Sequence, residues 1–369
     1  MTFQQPELFI CGERFFERLA ESIRNAKTSI VVNMFIWRND EIGSALARLL
    51  LDAADRGVRV AICKDRYGVI LECCEENCAS FFHPRLTMRE KIQCFFLKHL
   101  YRLAMPADSV PQNIEGLLRQ HPNIQIDDAH YRRDHSKFWI FDDETLYLGG
   151  INVENKERAT DSRGYAYHDY MVGLHGREFV EAFRAKRQNP ALASPLFGMN
   201  LKSPMPCFEL RERYLDLIRN AERNLDILMA YFAPEADFLD EIATACRRGV
   251  KVRLLLPQHA NFNHELNLLT AYRLLGKRDQ NLAVFLSPKM VHAKVLVSEK
   301  MISLGSCNIN RKAFRSLDEL NLFWPNDSQP FATSLRNDLE EQFQKAQWVK
   351  DRNQLHIHWL WAAAERLVM

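Results

Sequence analysis

Residues 135–152 read HSKFWIFDDETLYLGGIN, and residues 292–310 read HAKVLVSEKMISLGSCNIN. Each copy runs His, one residue, Lys, an apolar stretch, an acid (Asp142 or Glu299), and a turn of small residues ending in Asn. The turns carry Gly149, Gly150 and Asn152 in the first copy, and Gly305, Ser306 and Asn308 in the second. With Arg allowed to stand for Lys, a chain of this composition supplies roughly 0.2 such motifs by chance. Along an extended strand, residues i and i+2 share a side, so His135 projects with Lys137 and His292 with Lys294. An imidazole beside a cation suits an anionic phosphorus centre, where Lys screens the equatorial oxygens and His attacks or donates a proton. The turns would add backbone N–H groups and an Asn amide as donors to non-bridging oxygens.

The rest of the chain is also written twice. LAESIRNAKTSIVVNMFIWRNDEIGSALARLLLDAADRGVRVAIC begins at Leu19, and YLDLIRNAERNLDILMAYFAPEADFLDEIATACRRGVKVRLLL begins at Tyr214. Both contain Ile-Arg-Asn-Ala (Ile23–Ala26, Ile218–Ala221), and both reach Arg-Gly-Val before a strand-like run (Arg56–Val58, Arg248–Val250). In each, an amphipathic helix leads to a β-branched run, then to a second helix ended by Gly57 or Gly249. Strands alternating with helices predict an α/β fold with mixed, largely parallel sheets flanked by helices. Two similar halves are expected, 1–200 and 201–369, the first carrying an insertion at about 69–122 and the second ending in a C-terminal helix.

The chain has 369 residues, 47% hydrophobic and 26% charged, with a net charge of +2. That total gives no reason to expect a nucleic-acid binder, so any basic patch is local. No apolar run approaches the ~18 residues of a membrane span. The opening MTFQQPELFICGERFFERL lacks a basic stretch followed by an apolar block, so no signal peptide is expected. The nine cysteines then read as reduced thiols in the cytoplasm. Cys73, Cys74, Cys78 and His83 are irregularly spaced for tetrahedral zinc, which favours small buried side chains on a helix.

At this point the sequence resembles the phospholipase D superfamily, whose signature is His-x-Lys, four residues and Asp, present twice. The resemblance is nearest to the bacterial cardiolipin synthase branch, through MFIWRNDEIG (34–43), LGGINV, YHDYMVGLHG (167–176), AYFAPEADFLDEIATACRRGVKV and GSCNINRKAFRSLDELN. The second motif departs from the pattern, with Glu299 where Asp is usual. That position follows the strand, and its acid reads as structural. The resemblance implies two halves about a pseudo-twofold with the active site between them. It implies that His135 attacks phosphorus to form a phosphohistidine, and that His292 protonates the leaving alcohol and then activates the acceptor. Asp169 and Glu319 are the implied orienting acids, each serving the histidine of the opposite half; His168 reads as structural. Neither a metal nor another cofactor is implied, since the Lys and Asn groups supply the anion stabilisation.

The substrate class must come from elsewhere. RLTMREKIQCFFLKHLYRL (85–103) sets Phe95 and Phe96 at helical spacing with other apolar residues, beside Arg85, Arg89, Lys91, Lys98 and Arg102. Such a helix suits an anionic membrane surface, although a helix packed on the domain with a solvated basic face would carry the same pattern. Trp359 and Trp361 near the C-terminus suit either an interface or a core groove. The leading expectation is a phosphatidyltransferase that makes cardiolipin-type lipid from phosphatidylglycerol or a related phospholipid, with phospholipase D hydrolysis if water intercepts. It would lie peripherally on the inner face of the cytoplasmic membrane. Phospholipid substrates and the anionic membrane surface are then the partners, with nucleic acid a partner only in the alternative reading, and the sequence does not say which proteins it meets. The alternative is a nuclease or nucleic-acid phosphodiesterase of the same superfamily.

Overall fold

The computed structural model describes residues 4–75, 80–82, 85–101, 114–158, 166–203 and 205–368. The chain forms two compact units, Met1–Ala185 and Lys186–Met369. The division falls earlier than 200/201 because Phe197–Leu201 pairs with Glu319–Pro325, and so belongs to the second sheet.

The first unit is built on a seven-stranded sheet. Its order is Glu7–Ile10, Tyr170–His175, Thr145–Gly149, Phe138–Phe141, Ser29–Met34, Arg59–Lys64 and Ile124–Asp127. The second unit repeats that order within nine strands, with Glu319–Pro325, Met301–Gly305, Lys294–Ser298, Asn224–Met229, Lys251–Pro257 and Leu282–Ser287 in the corresponding places. The duplication read from the sequence is therefore a duplication of topology. The expected parallel pairing, however, is confined to Ser29–Met34, Arg59–Lys64 and Ile124–Asp127 and their counterparts in the second unit. The remaining pairs of both sheets are antiparallel. The reason lies in the connections. Phe141 and Thr145 are separated by three residues, enough for a hairpin but far too few for a crossover.

Helix α1 (Gly12–Asn25) buries Phe15, Phe16, Leu19 and Ile23, and helix α2 (Glu41–Asp55) buries Leu46, Ala47, Leu50, Ala53 and Ala54. These stripes pack with the apolar face of the sheet to form the first core. Asp40 caps α2 through Gly43 N at 2.9 Å. Gly57 and Gly249 close the equivalent helices at φ 93° and 95°, a left-handed backbone that favours glycine.

The acid of each motif ties this frame together. Asp142 accepts from the amides of Lys27, Thr28 and Ser29 at 2.9, 2.8 and 3.0 Å, gathering the start of the strand Ser29–Met34. Glu299 does the same for Glu222, Arg223 and Asn224, at 2.9, 3.2 and 3.2 Å. Both acids are therefore structural, and the longer Glu still makes the bonds. Partial burial opposes ionisation of Asp142, but these amides outweigh it and hold the carboxyl below its ordinary value. Its contribution is thus present above the unfolded-state value and is lost as pH falls through the lowered one. Asp142→Ala and Glu299→Ala should each cost about 1–3 kcal/mol in urea unfolding, the usual range for lost hydrogen-bond acceptors. Unchanged unfolding midpoints in both variants would contradict this bracing role.

Candidate active site

In the first unit, His135 and Lys137 lie in the extended segment leading into Phe138–Phe141, just outside the strand itself. They do share a side, because both meet one ring. The His135 imidazole sits edge-on to Phe35 at 4.7 Å between centroids, and Lys137 Nζ lies 5.4 Å from the same centroid. Lys137 is fully buried and donates through Nζ to the His135 carbonyl at 2.6 Å. This bond folds the ammonium back along its own backbone and holds it beside the imidazole. The segment between them is fixed from the neighbouring strand: Asn33 Nδ2 donates to the Ser136 carbonyl at 2.8 Å. Ser136 Oγ donates to Asp134, whose own amide donates to Asp65 Oδ2 at 2.6 Å. Burial pushes the Asp65 carboxyl up, against the amides of Asp134 and Tyr67.

Asp169 rests against the Gly-Gly turn. A Cβ on Gly150 would lie 2.3 and 2.4 Å from the two Asp169 carboxylate oxygens, so only glycine leaves the acid room. A Cβ on Gly149 would strike the Tyr170 carbonyl at 2.4 Å. Asp169 is buried, and its Oδ1 accepts from Tyr170 N at 2.8 Å. His168, as expected, is engaged elsewhere: its ring meets the Tyr170 hydroxyl at 3.0 Å and Cys11 Sγ at 3.4 Å.

Asn152 differs from expectation. Its Nδ2 is directed to Glu157 at 3.2 Å and Glu154 at 3.4 Å, and its backbone N–H to Glu157 at 3.0 Å. Two carboxylates attract the amine end of the amide, so the end without a hydrogen-bond partner is the carbonyl oxygen Oδ1. The turn amides expected as phosphate donors are also committed, Gly149 N to the Lys137 carbonyl and Gly150 N to that of Tyr170. Glu154 and Glu157 escaped the sequence reading, although NVENKE placed both within five residues of Asn152. Arg38 Nε meets Glu154 at 2.6 Å, while Lys156 meets Glu75 at 3.0 Å, so one of the two acids holding Asn152, Glu154, belongs to a buried ionic network. Burial pushes Glu154 up, with Arg38 and Lys156 opposing.

The second unit repeats the central device. Lys294 is fully buried and donates through Nζ to the His292 carbonyl. His292 lies edge-on to Tyr231 at 6.2 Å, in place of Phe35, and the Tyr231 hydroxyl donates to Asn261 at 2.7 Å. Ser306 occupies the position of Gly150; its hydroxyl donates to Glu319 at 2.5 Å, and its amide to the Leu320 carbonyl at 2.9 Å. A Cβ on Gly305 would lie 2.2 Å from that same carbonyl. Asn308 is buried with its Oδ1 likewise lacking a hydrogen-bond partner. The turn amide of Cys307 is taken by Asn321 at 3.1 Å.

Of the surface residues, Arg85, Arg89 and Lys91 are exposed, Lys98 is half-buried, and Arg102 lies outside the described residues. Helix α3 (Arg66–Glu75) is the neighbour of helix α4 (Met88–Leu100). Helix α4 buries only Glu90, whose carboxylate accepts from Arg66 at 2.8 and 3.0 Å and from Tyr131. Phe95 and Phe96 remain 59% and 66% exposed, and Met88 and Ile92 are exposed beside them. The apolar face of α4 thus points away from the domain, anchored by a single buried acid. Trp359 is 58% exposed and Trp361 is at the surface, so neither fills a core groove. Cys73 and Cys74 are buried on α3, while Cys78 and His83 lie outside the described residues.

Gly150→Ala should displace the Asp169 carboxylate and lower the unfolding midpoint, at a cost of about 1–3 kcal/mol for overpacking. A fully stable alanine variant would mean that the acid does not rest against this turn.

The sequence profile described as "Cardiolipin synthase, PLD-like domain" matches residues 19–187 and 214–346. The chain is 25% identical over 346 residues to a cardiolipin synthase of Listeria monocytogenes serotype 4a (strain HCC23), a match covering 86% of this chain and 65% of the relative. It is 24% identical over 338 residues to the major cardiolipin synthase ClsA of Bacillus subtilis (strain 168), covering 85% and 64%. The chain thus spans a little under two thirds of these relatives. In fold it is similar to the phosphatidylserine synthase of Haemophilus influenzae Rd KW20, with a TM-score of 0.69 at 17% identity, covering all of this chain and 93% of that one. With both repeats matched by one profile, the chain belongs to the cardiolipin synthase family of phospholipase D-like domains.

Proposed function

We propose that this protein is a phosphatidyltransferase that makes cardiolipin-type lipid from phosphatidylglycerol or a related phospholipid. The observation that carries the reading is the repeated construction of the two motifs. In each, a buried lysine is folded onto the carbonyl of its own histidine, and a buried acid sits against the small-residue turn. The names of the relatives supply the lipid.

In this reading His135 attacks phosphorus and the phosphorus–oxygen bond to the leaving alcohol breaks, while His292 delivers a proton to the departing oxygen. A phosphohistidine results. His292, now neutral, takes the proton of the incoming lipid alcohol; its oxygen attacks phosphorus and the phosphorus–nitrogen bond breaks. Lys137 and Lys294 supply positive charge against the crowded phosphoryl oxygens. Asp169 and Glu319 orient imidazoles and favour their protonated forms. Because the donors of Asn152 are spent on Glu154 and Glu157, its role is to accept, through Oδ1, a hydroxyl or imidazole N–H. Water in place of the lipid alcohol would give phosphatidic acid.

The protein would reach its substrate through α4, resting Met88, Ile92, Phe95 and Phe96 in an anionic membrane surface among Arg85, Arg89 and Lys91. Among the described residues no helix is long and apolar enough to cross a membrane. A peripheral position on the inner face of the cytoplasmic membrane is consistent with that geometry.

Purified protein in EDTA should convert phosphatidylglycerol vesicles to cardiolipin and free glycerol, read by mass spectrometry. His135→Ala and His292→Ala should each lower turnover by about a thousandfold or more while leaving the fold intact. Full activity in either variant would sink the two-histidine scheme, and cleavage of single-stranded DNA with untouched lipid would place the protein among nucleases. Phe95→Ser with Phe96→Ser should weaken sedimentation with anionic vesicles about tenfold or more, consistent with the area removed; unchanged binding would remove α4 from the contact.

A further inference from the structure

We propose that Cys74 and Cys94 are a modification site, oxidised by low-molecular-weight disulfides to an intramolecular disulfide that ties α4 to α3. Cys74 is buried on α3, and its Sγ donates to the Cys94 carbonyl of α4 at 3.4 Å. Cys94 is half-buried and follows Glu90 by one helical turn, on the face that α4 turns toward the domain. The contact therefore sits where the two helices cross, with a short side chain from each. Disulfide geometry requires the two residues to lie close, and the Cys74 sulfur already reaches the Cys94 backbone.

The two thiols are not equivalent. Burial pushes the Cys74 thiol up, the adjacent Cys94 adds to this, and Lys98 opposes. Cys74 is therefore the poorer first nucleophile and Cys94, reachable from solvent, reacts first. The Cys94 thiolate attacks one sulfur of the oxidant's disulfide, forming a mixed disulfide and releasing one small thiol. Deprotonated Cys74 then attacks the Cys94 sulfur and releases the second. Two protein thiols have lost two protons and two electrons, and the disulfide reagent has become two thiols. The link would fix the base of the helix that presents Phe95 and Phe96 to solvent. It does not depend on the transfer reaction.

The test is incubation of the whole protein with oxidised glutathione, blocking with N-ethylmaleimide and non-reducing tryptic mapping. The expected product joins the peptide Tyr67–Arg85 to the peptide Ile92–Lys98 in the native protein and in Cys73→Ser. Cys94→Ser should abolish it, and Cys74→Ser should leave glutathione on Cys94. Three results would overturn the proposal: no reaction at Cys94, a stable glutathione adduct there in the native protein, or a link that survives Cys74→Ser. If Cys74→Ser does not fold, the double variant Cys73→Ser with Cys78→Ser decides: the link should persist in it, and its loss there would overturn the assignment to Cys74.

Discussion

A fully buried ammonium is costly unless it is held by hydrogen bonds and countercharge, and this protein holds one in each half at the same place. Lys137 and Lys294 turn back to the carbonyl of the histidine two residues earlier. That bond makes the His-x-Lys segment a rigid unit, with its cation set beside its imidazole before any substrate arrives. The rest of each half supports it. The following strand carries the chain away through the core, the motif acid pins that strand's turn to the start of its neighbour, and the small-residue turn makes room for a buried acid. Preorganisation of this kind is what phosphoryl chemistry asks of a protein, since little reorganisation then remains for the reaction itself.

The two halves are copies in topology but not in chemistry. The first has Phe35 under its histidine and Gly150 against its acid; the second has Tyr231 and Ser306. Asn152 is directed by two buried carboxylates, one of them in a buried ionic network, and the corresponding stretch after Asn308 contains Asn310, whose side chain instead caps the next helix through Ala313 N at 2.8 Å. These differences are concentrated in the residues touching the histidines and turns, which is where the proposed division of attack and proton transfer between the two imidazoles would need them.

Much of this was legible in the sequence because it rests on local rules. Gly57 and Gly249 announced helix ends, and the repeated Ile-Arg-Asn-Ala announced the duplication. The substitution of Glu299 for Asp was readable as structural because the acid follows a strand. What failed to show depended on partners distant in sequence. Strand direction could not be read from apolar runs, and the three-residue link between Phe141 and Thr145 was the overlooked sign of antiparallel pairing. The turn amides looked available until their bonds to Tyr170 and Leu320 were placed. The sequence offered both an outward and a packed aromatic face for α4 and could not choose, because its anchor, Glu90, reads as a surface acid until Arg66 and Tyr131 are beside it.

The central claim is that phosphorus becomes bonded to a histidine of the first motif. It is tested most directly by mixing the protein with a short-chain phosphatidylglycerol, quenching within the first turnover at alkaline pH, and mapping the peptides by mass spectrometry. The account predicts a phosphatidyl adduct on the peptide containing His135, absent from His135→Ala. An adduct on His292 instead, or cardiolipin formed at full rate with no adduct on either histidine, would contradict it.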